Sequence, residues 1–216
     1  MSRRSALAAI SPVASEQWGM ITAGQARRLG VSRQDLNRLV DDGTLAIADQ
    51  ATRVYRLTGA PEDPDLDPLR AAWLQLGGAQ SWQERTAAPN LVISHRSAAH
   101  LRGLGDLIPY EHEFYATTRL RPRRNDIKLR VRPQIAPDSW EIWGGLSVHT
   151  VPAIIDDLLS DGEDESAVAQ VVRDARTLGL LRDEALNAIV ERYAVAYGRA
   201  DPAEFAQALT GEGTRR

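Results

Sequence analysis

Asp126 and Lys128 are the first residues to weigh for chemistry, because they sit two apart in the alternating stretch from Asp126 to Arg132. Residues two apart on a strand point to the same side. A carboxylate and an ammonium so placed occur in metal-dependent nucleases, and Glu111, Glu113 or Asp106 could supply a further ligand for a divalent ion. The plainer alternative makes Lys128 one member of a cationic strand face. The histidines carry less. His95 and His100 are five apart at a helix start, off the i, i+4 spacing of a helical zinc pair, and His112 and His149 are distant in sequence. Asp156-Asp157 reads as an exposed helical pair. The expectation is a chain with no catalytic residue, no metal and no cofactor.

A second set of side chains suits recognition better than catalysis. Arg33, Gln34, Asn37 and Arg38 follow Ser32 in a stretch where Leu36, Leu39 and Val40 recur at helical spacing. Those apolar residues must face a core, which turns the polar ones to solvent. Forked arginine, asparagine and glutamine side chains match guanine and adenine edges in a major groove bidentately. They cluster near the N-terminus of their helix, the end that enters the groove in a helix-turn-helix.

The elements that would position them are legible around that stretch. Thr22 with Gln25, and Ser32 with Asp35, have the spacing of reciprocal caps at two helix starts. Gly30 supplies the positive φ that ends the first helix. Leu45 to Ala48 and Thr52 to Leu57 then form a two-stranded wing joined at Asp49-Gln50, with Arg53 and Arg56 placed to hold phosphates. Upstream, Ser11-Pro12 is read as a helix start and Met1 to Ile10 as fraying.

Zero cysteines excludes a disulfide framework and fits a reducing cytoplasm. No apolar run approaches the ~18 residues of a membrane span, and the apolar run Ala6 to Ile10 is shorter than a signal peptide needs. The net charge of −3 conceals a segregation: residues 1–58 carry +3, 59–68 carry −4, 69–135 carry +6 and 136–216 carry −8. Positive blocks of this kind can face nucleic acid despite an acidic pI. Residues 59–68, with three prolines and four acids, read as an extended linker.

The expected organisation is therefore α+β: an N-terminal winged helix-turn-helix over 1–58, the linker 59–68, a mixed domain over 69–210 ending in helices, and a disordered tail over 211–216. Within the mixed domain, Trp140 to Trp143, Gly144-Gly145 and Leu146 to Thr150 form a hairpin. Helices follow over Ala153 to Leu159, Glu165 to Leu178 and Arg182 to Tyr197. Arg119, Arg121, Arg123, Arg124, Lys128, Arg130 and Arg132 form a basic surface. Aligned like charges repel, so this surface needs phosphate, an acidic protein, or the acidic C-terminal helices as partner.

The order of these segments resembles a known family. GMITAGQARRLGVSRQDLNRLVDDGTL, the acidic proline-rich stretch, ISHRSAAHLRGLGDL, a basic strand pair and GGLSVHTVPAIIDDLL follow one another from about Trp18 to Tyr197. That order is similar to the AbiEi-type antitoxins of bacterial abortive-infection (type IV) toxin–antitoxin systems. The resemblance implies a cytoplasmic autorepressor that binds operator DNA, as a dimer or cooperatively, and neutralises a nucleotidyltransferase-like toxin. It assigns the recognition helix to Ser32, Arg33, Gln34, Asn37 and Arg38, and the wing to Arg53 and Arg56. A plain regulator whose second domain senses a ligand or dimerises, and the Asp126/Lys128 nuclease, are the alternatives.

Overall fold

A computed structural model describes residues 1–48, 51–122 and 124–211. The fold is α+β, and the chain divides into two compact units. One comprises Met1–Leu91 with Leu120–Ile127, the other Val92–Arg119 with Lys128–Arg216.

The first unit begins with helix α1, Arg3–Ser15, capped by the Ser2 hydroxyl. Ala6, Ile10 and Ala14 recur every four residues and are fully buried, which carries the helix through Pro12. The expected fraying of residues 1–10 is thus corrected: Pro12 lies inside the helix rather than at its start. Strand β1 (Met20–Thr22), α2 (Ala23–Arg28), α3 (Arg33–Asp41), β2 (Leu45–Ile47) and β3 (Val54–Leu57) follow. The strands form an antiparallel sheet in the order β1-β3-β2. Ile10, Ile21, Ala26, Leu36, Leu39 and Tyr55 meet in one core beneath the two helices. Truncating a residue such as Leu36, which is fully buried, costs about 2–5 kcal/mol in a core of this kind.

The acidic stretch is not a spacer. Arg56 Nη1 lies 2.9 Å from Asp67 Oδ2, both side chains being largely buried, and Arg56 also donates to the Pro61 carbonyl. Arg70 spans Asp63 (3.2 Å) and Asp67 (3.0 Å). A Cβ on Gly19 would fall 2.3 Å from the Ala60 Cβ, so the segment presses on the unit it was expected to leave. Helix α4 (Asp67–Gly77) buries Leu69, Ala72, Trp73 and Leu74 and packs on β1 and β3. A short helix α5, Trp82–Ala87, is capped by Ser81 and Glu84. The units therefore divide at 91/92, not within 59–68.

In the second unit a five-stranded sheet has the order β6-β5-β4-β8-β7. Its strands are β4 (Leu91–Ile93), β5 (His112–Ala116), β6 (Ile127–Val131), β7 (Trp140–Trp143) and β8 (Leu146–His149), with helix α6 (His95–Leu101) after β4. Strands β7 and β8 form the expected hairpin, turned by Gly144 and Gly145 at φ +56° and +83°. Strand β8 runs parallel to β4. Helices α7 (Val151–Ser160), α8 (Glu165–Thr177), α9 (Asp183–Tyr193) and α10 (Pro202–Thr210) close the chain. The sequence reading missed α10, although Asp201 caps it and Phe205 and Leu209 stripe it. The expected tail, apart from Gly211, lies outside the described residues.

A polar core sits where β4 and β8 end. His149 Nδ1 is 2.7 Å from Asp157 Oδ2, and His95 Nδ1 is 2.8 Å from Ser94 Oγ and 3.7 Å from the same carboxylate oxygen. Tyr115 lies against both imidazoles, with ring centroids 5.2 and 5.3 Å away. Asp157 is buried at 1% exposure, and Asp156 accepts from the Tyr193 hydroxyl at 2.7 Å, so the expected exposed acidic pair is corrected. Burial pushes the His95 imidazole down to about 3, with the Asp157 charge opposing that shift.

Two outcomes follow from this packing. A fragment 1–91 should unfold cooperatively on heating, whereas 1–58 should not, because it lacks the partners of Arg56 and exposes the faces of β1 and β3 that α4 covers. Equal melting of the two fragments would show that α4 contributes nothing. Because His95 stays neutral in the fold but titrates near 6.5 when unfolded, the unfolded state binds the extra proton between those values. Its contribution to stability is complete above pH 6.5 and falls progressively toward pH 3, by a few kcal/mol as an order of magnitude. Urea titrations across that range should show a shallower decline in His95→Asn than in the wild type; parallel declines would remove His95 as the cause.

Candidate nucleic-acid interface

Helix α3 is held at its start by a reciprocal cap. Ser32 Oγ accepts the Asp35 amide at 3.2 Å, and Asp35 Oδ2 accepts the Ser32 amide at 3.2 Å. The same carboxylate takes the Ser32 hydroxyl at 2.6 Å, which holds its pKa below the usual aspartate range. Ser32 thus serves the cap first. Leu36 and Leu39 turn inward, and Arg33, Gln34, Asn37 and Arg38 turn to solvent, as their spacing predicts.

Beside α3 lies an open cleft of about 1480 Å³ in the first unit. Arg33, Asn37 and Asp41 of α3 line it, with Arg27 of α2, Arg53 ahead of β3, and Arg121 from the chain between β5 and β6. Arg27, Arg33, Arg53 and Arg121 are exposed, and none has a carboxylate partner among the described residues. Elsewhere in the unit most arginines, Arg4 and Arg85 excepted, meet carboxylates. Arg3 meets Asp42, Arg28 meets Glu84, Arg38 meets Asp35, Arg70 meets Asp63 and Asp67, and Arg124 meets Asp126. The cleft therefore collects uncompensated guanidinium groups, with Asp41 its one acidic lining residue among those described.

Not every expected contact falls there. Gln34 and Arg38 are exposed but do not line the cleft, and Arg38 lies 3.5 Å from Asp35. Arg53 is exposed at the cleft with φ +68°. Arg56 is corrected: it is 7% exposed and bound to Asp67, because β3 is the central strand of its sheet and neither face is free. The wing turn Asp49-Gln50 lies outside the described residues. Arg27 was not among the expected candidates, although a basic residue in the last turn of the helix before α3 was visible in the sequence.

The run Arg119 to Arg132 is divided between the two units, and much of it is paired with acids. Arg119 is exposed in the second unit, Arg121 lines the cleft of the first, and Arg123 lies outside the described residues. Arg124 is 8% exposed and grips Asp126, its Nε 2.7 Å from Oδ1. Lys128 lies 3.6 Å from Glu113 and 3.7 Å from Asp161. Arg130 meets the same two acids, and Arg132 lies 3.6 Å from Asp157 while donating to the Tyr115 hydroxyl at 2.7 Å. Glu113 of β5, Asp157 of α7 and Asp161 just after it thus pair with the cations of β6 and with Arg132. Asp126 meets Arg124, while Lys128 lies beside Glu113 and Asp161. Among the described residues no group of three or more His, Cys, Asp or Glu side chains is disposed to hold a metal ion. No helix among them is long and apolar enough to cross a membrane.

Residues 9–46, from within α1 to within β2, match the family model described as transcriptional regulator, AbiEi antitoxin. The resemblance read from segment order ran on to Tyr197; the family match covers its N-terminal part. No curated protein matches the chain. The crystal structure of the RV2827C protein from Mycobacterium tuberculosis superimposes with a TM-score of 0.55 at 15% identity, covering 98% of this chain and 83% of that one. At that identity the likeness is one of fold, and it agrees with the α+β architecture. Residues 9–46, which contain α2, α3 and the turn between them, are thus similar to the AbiEi antitoxin and transcriptional-regulator family.

Proposed function

We propose that this chain is an AbiEi-type antitoxin and regulator that binds operator DNA through the cleft beside α3, represses its own operon, and neutralises a nucleotidyltransferase-like toxin as a binding protein rather than an enzyme. The observation that carries the DNA assignment is that Arg27, Arg33, Arg53 and Arg121 line one cleft with Asn37 and have no carboxylate partner among the described residues, while most other arginines of the same unit meet carboxylates. A concentration of uncompensated positive charge costs folding stability through self-repulsion and is complemented by a polyanion. Asn37 and Arg33 add the bidentate geometry that distinguishes adenine and guanine edges. The toxin-facing role belongs to residues outside this interface and follows from the antitoxin family; the second unit is where we assign it. Binding to operator DNA places the protein in the cytoplasm, on paired half-sites as a dimer or cooperatively.

The test is a gel-shift titration of the full chain on its own promoter region. Arg33→Ala and Asn37→Ala should each cost about 1–3 kcal/mol and relax sequence preference. Arg53→Ala should weaken all sequences alike, and Gln34→Ala, outside the cleft, should change little. Unchanged affinity and preference in an Arg33→Ala/Asn37→Ala double variant would contradict the groove assignment. For the second role, co-expression with the toxin encoded beside it should restore growth; a folded protein that binds the promoter but gives no rescue would leave a regulator alone.

A further inference from the structure

We infer that the segment Leu120–Pro122, from the β5–β6 connection, is a preformed arm whose Arg121 holds a backbone phosphate of the duplex that α3 reads. The inference rests on the DNA-binding reading above and adds to it a contact from outside the helix-turn-helix.

Four observations converge on it. The chain enters the first unit for Leu120–Ile127 alone, after the intervening Val92–Arg119 has built part of the second. Within that excursion Leu120 and Pro122 are half-buried while Arg121 between them is exposed, so the apolar neighbours seat the segment and the guanidinium stays outside. Downstream, Arg124 is 8% exposed and Ile127 7% exposed, which seats the far end of the excursion. Finally, Leu120, Arg121 and Pro122 line the same cleft as Arg33, Asn37 and Arg53.

Local chemistry restricts the arm further. Pro122 fixes its own φ and offers no N–H for strand pairing. A proline disfavours the helical region for the residue before it, which biases Arg121 toward extended backbone. Less backbone freedom is then left to lose on binding. Its guanidinium has no carboxylate partner among the described residues, unlike that of Arg124 three positions on. A phosphate fits the forked donors of a guanidinium and carries the charge that the cleft lacks. A phosphate contact carries no sequence information, so Arg121 should add affinity and fix register without altering base preference.

The experiment is fluorescence anisotropy of the full chain with labelled operator and scrambled duplexes across a salt series. Wild type, Arg121→Ala, Arg121→Lys, Arg119→Ala and Arg33→Ala are compared, each checked for folding by circular dichroism. Arg121→Ala should weaken both duplexes by a similar factor and reduce the slope of log K against log salt by about 0.9, the increment for one phosphate. Arg121→Lys should keep most of that slope, and Arg119→Ala, exposed on the other unit, should match wild type. If Arg121→Ala binds as wild type while Arg33→Ala loses operator preference, the arm is wrong and the reading of α3 stands. Tighter binding by Arg121→Ala would also overturn the arm, by showing that the segment obstructs DNA. Failure of the wild type to bind either duplex would remove the DNA-binding reading itself.

Discussion

Two hydroxyl groups hold the helix on which the proposed recognition depends. Thr22 caps α2, accepting the Gln25 amide at 3.0 Å, and its own hydroxyl proton goes to the Gly78 carbonyl. Gln25 returns the cap by accepting the Thr22 amide at 2.9 Å, and its amino group reaches Gln17 at 2.7 Å and the Gln80 carbonyl at 2.8 Å. One buried network therefore ties the start of α2 to the end of α4. Ser32 repeats the cap at α3 after a turn too short to leave slack. Losing such a cap costs about 0.5–2 kcal/mol. Its positional cost would be greater, since Arg33 and Asn37 are aimed only while α3 keeps its angle.

Charge is distributed in the first unit as though acids had been assigned wherever a cation must be quiet. Arg56 is buried against Asp67, and Arg70 is shared by Asp63 and Asp67. Breaking a buried pair of the Arg56 kind strands a charge and destabilises strongly. Arg85 departs from this pattern. It is 2% exposed, its guanidinium carbon lies 3.3 Å over the Trp73 ring, and burial pushes it down to about 9. Stacking on the aromatic face compensates part of that cost. The cleft arginines have no carboxylate partner among the described residues, and they are the ones beside α3.

Much of this was legible in the sequence because it is local. Both capping boxes, the inward Leu36 and Leu39 and the Gly144-Gly145 hairpin each depend on residues within a few positions of one another. What the sequence concealed is long-range. Residues 59–68 have a linker's composition, yet their acids meet Arg56 and Arg70, and composition counts charges without pairing them. Arg56 looked like a wing residue because a hairpin's own sequence does not say which strand becomes central. His95 and His149 are far apart in the chain, and only parallel pairing of β4 with β8 brings both to Asp157. For the same reason the alternation of β6 revealed a cationic face but not that Glu113 and Asp161 lie opposite it.

The central claim is that the unpaired arginines, and not the paired ones, meet DNA. Its most direct test is a titration of the full chain with operator duplex, following the arginine Nε–H resonances by NMR. The account predicts large shifts for Arg27, Arg33, Arg53 and Arg121, with Arg28, Arg56 and Arg70 nearly still. Shifts confined to the paired arginines or to Arg130 and Arg132, with the cleft silent, would contradict it.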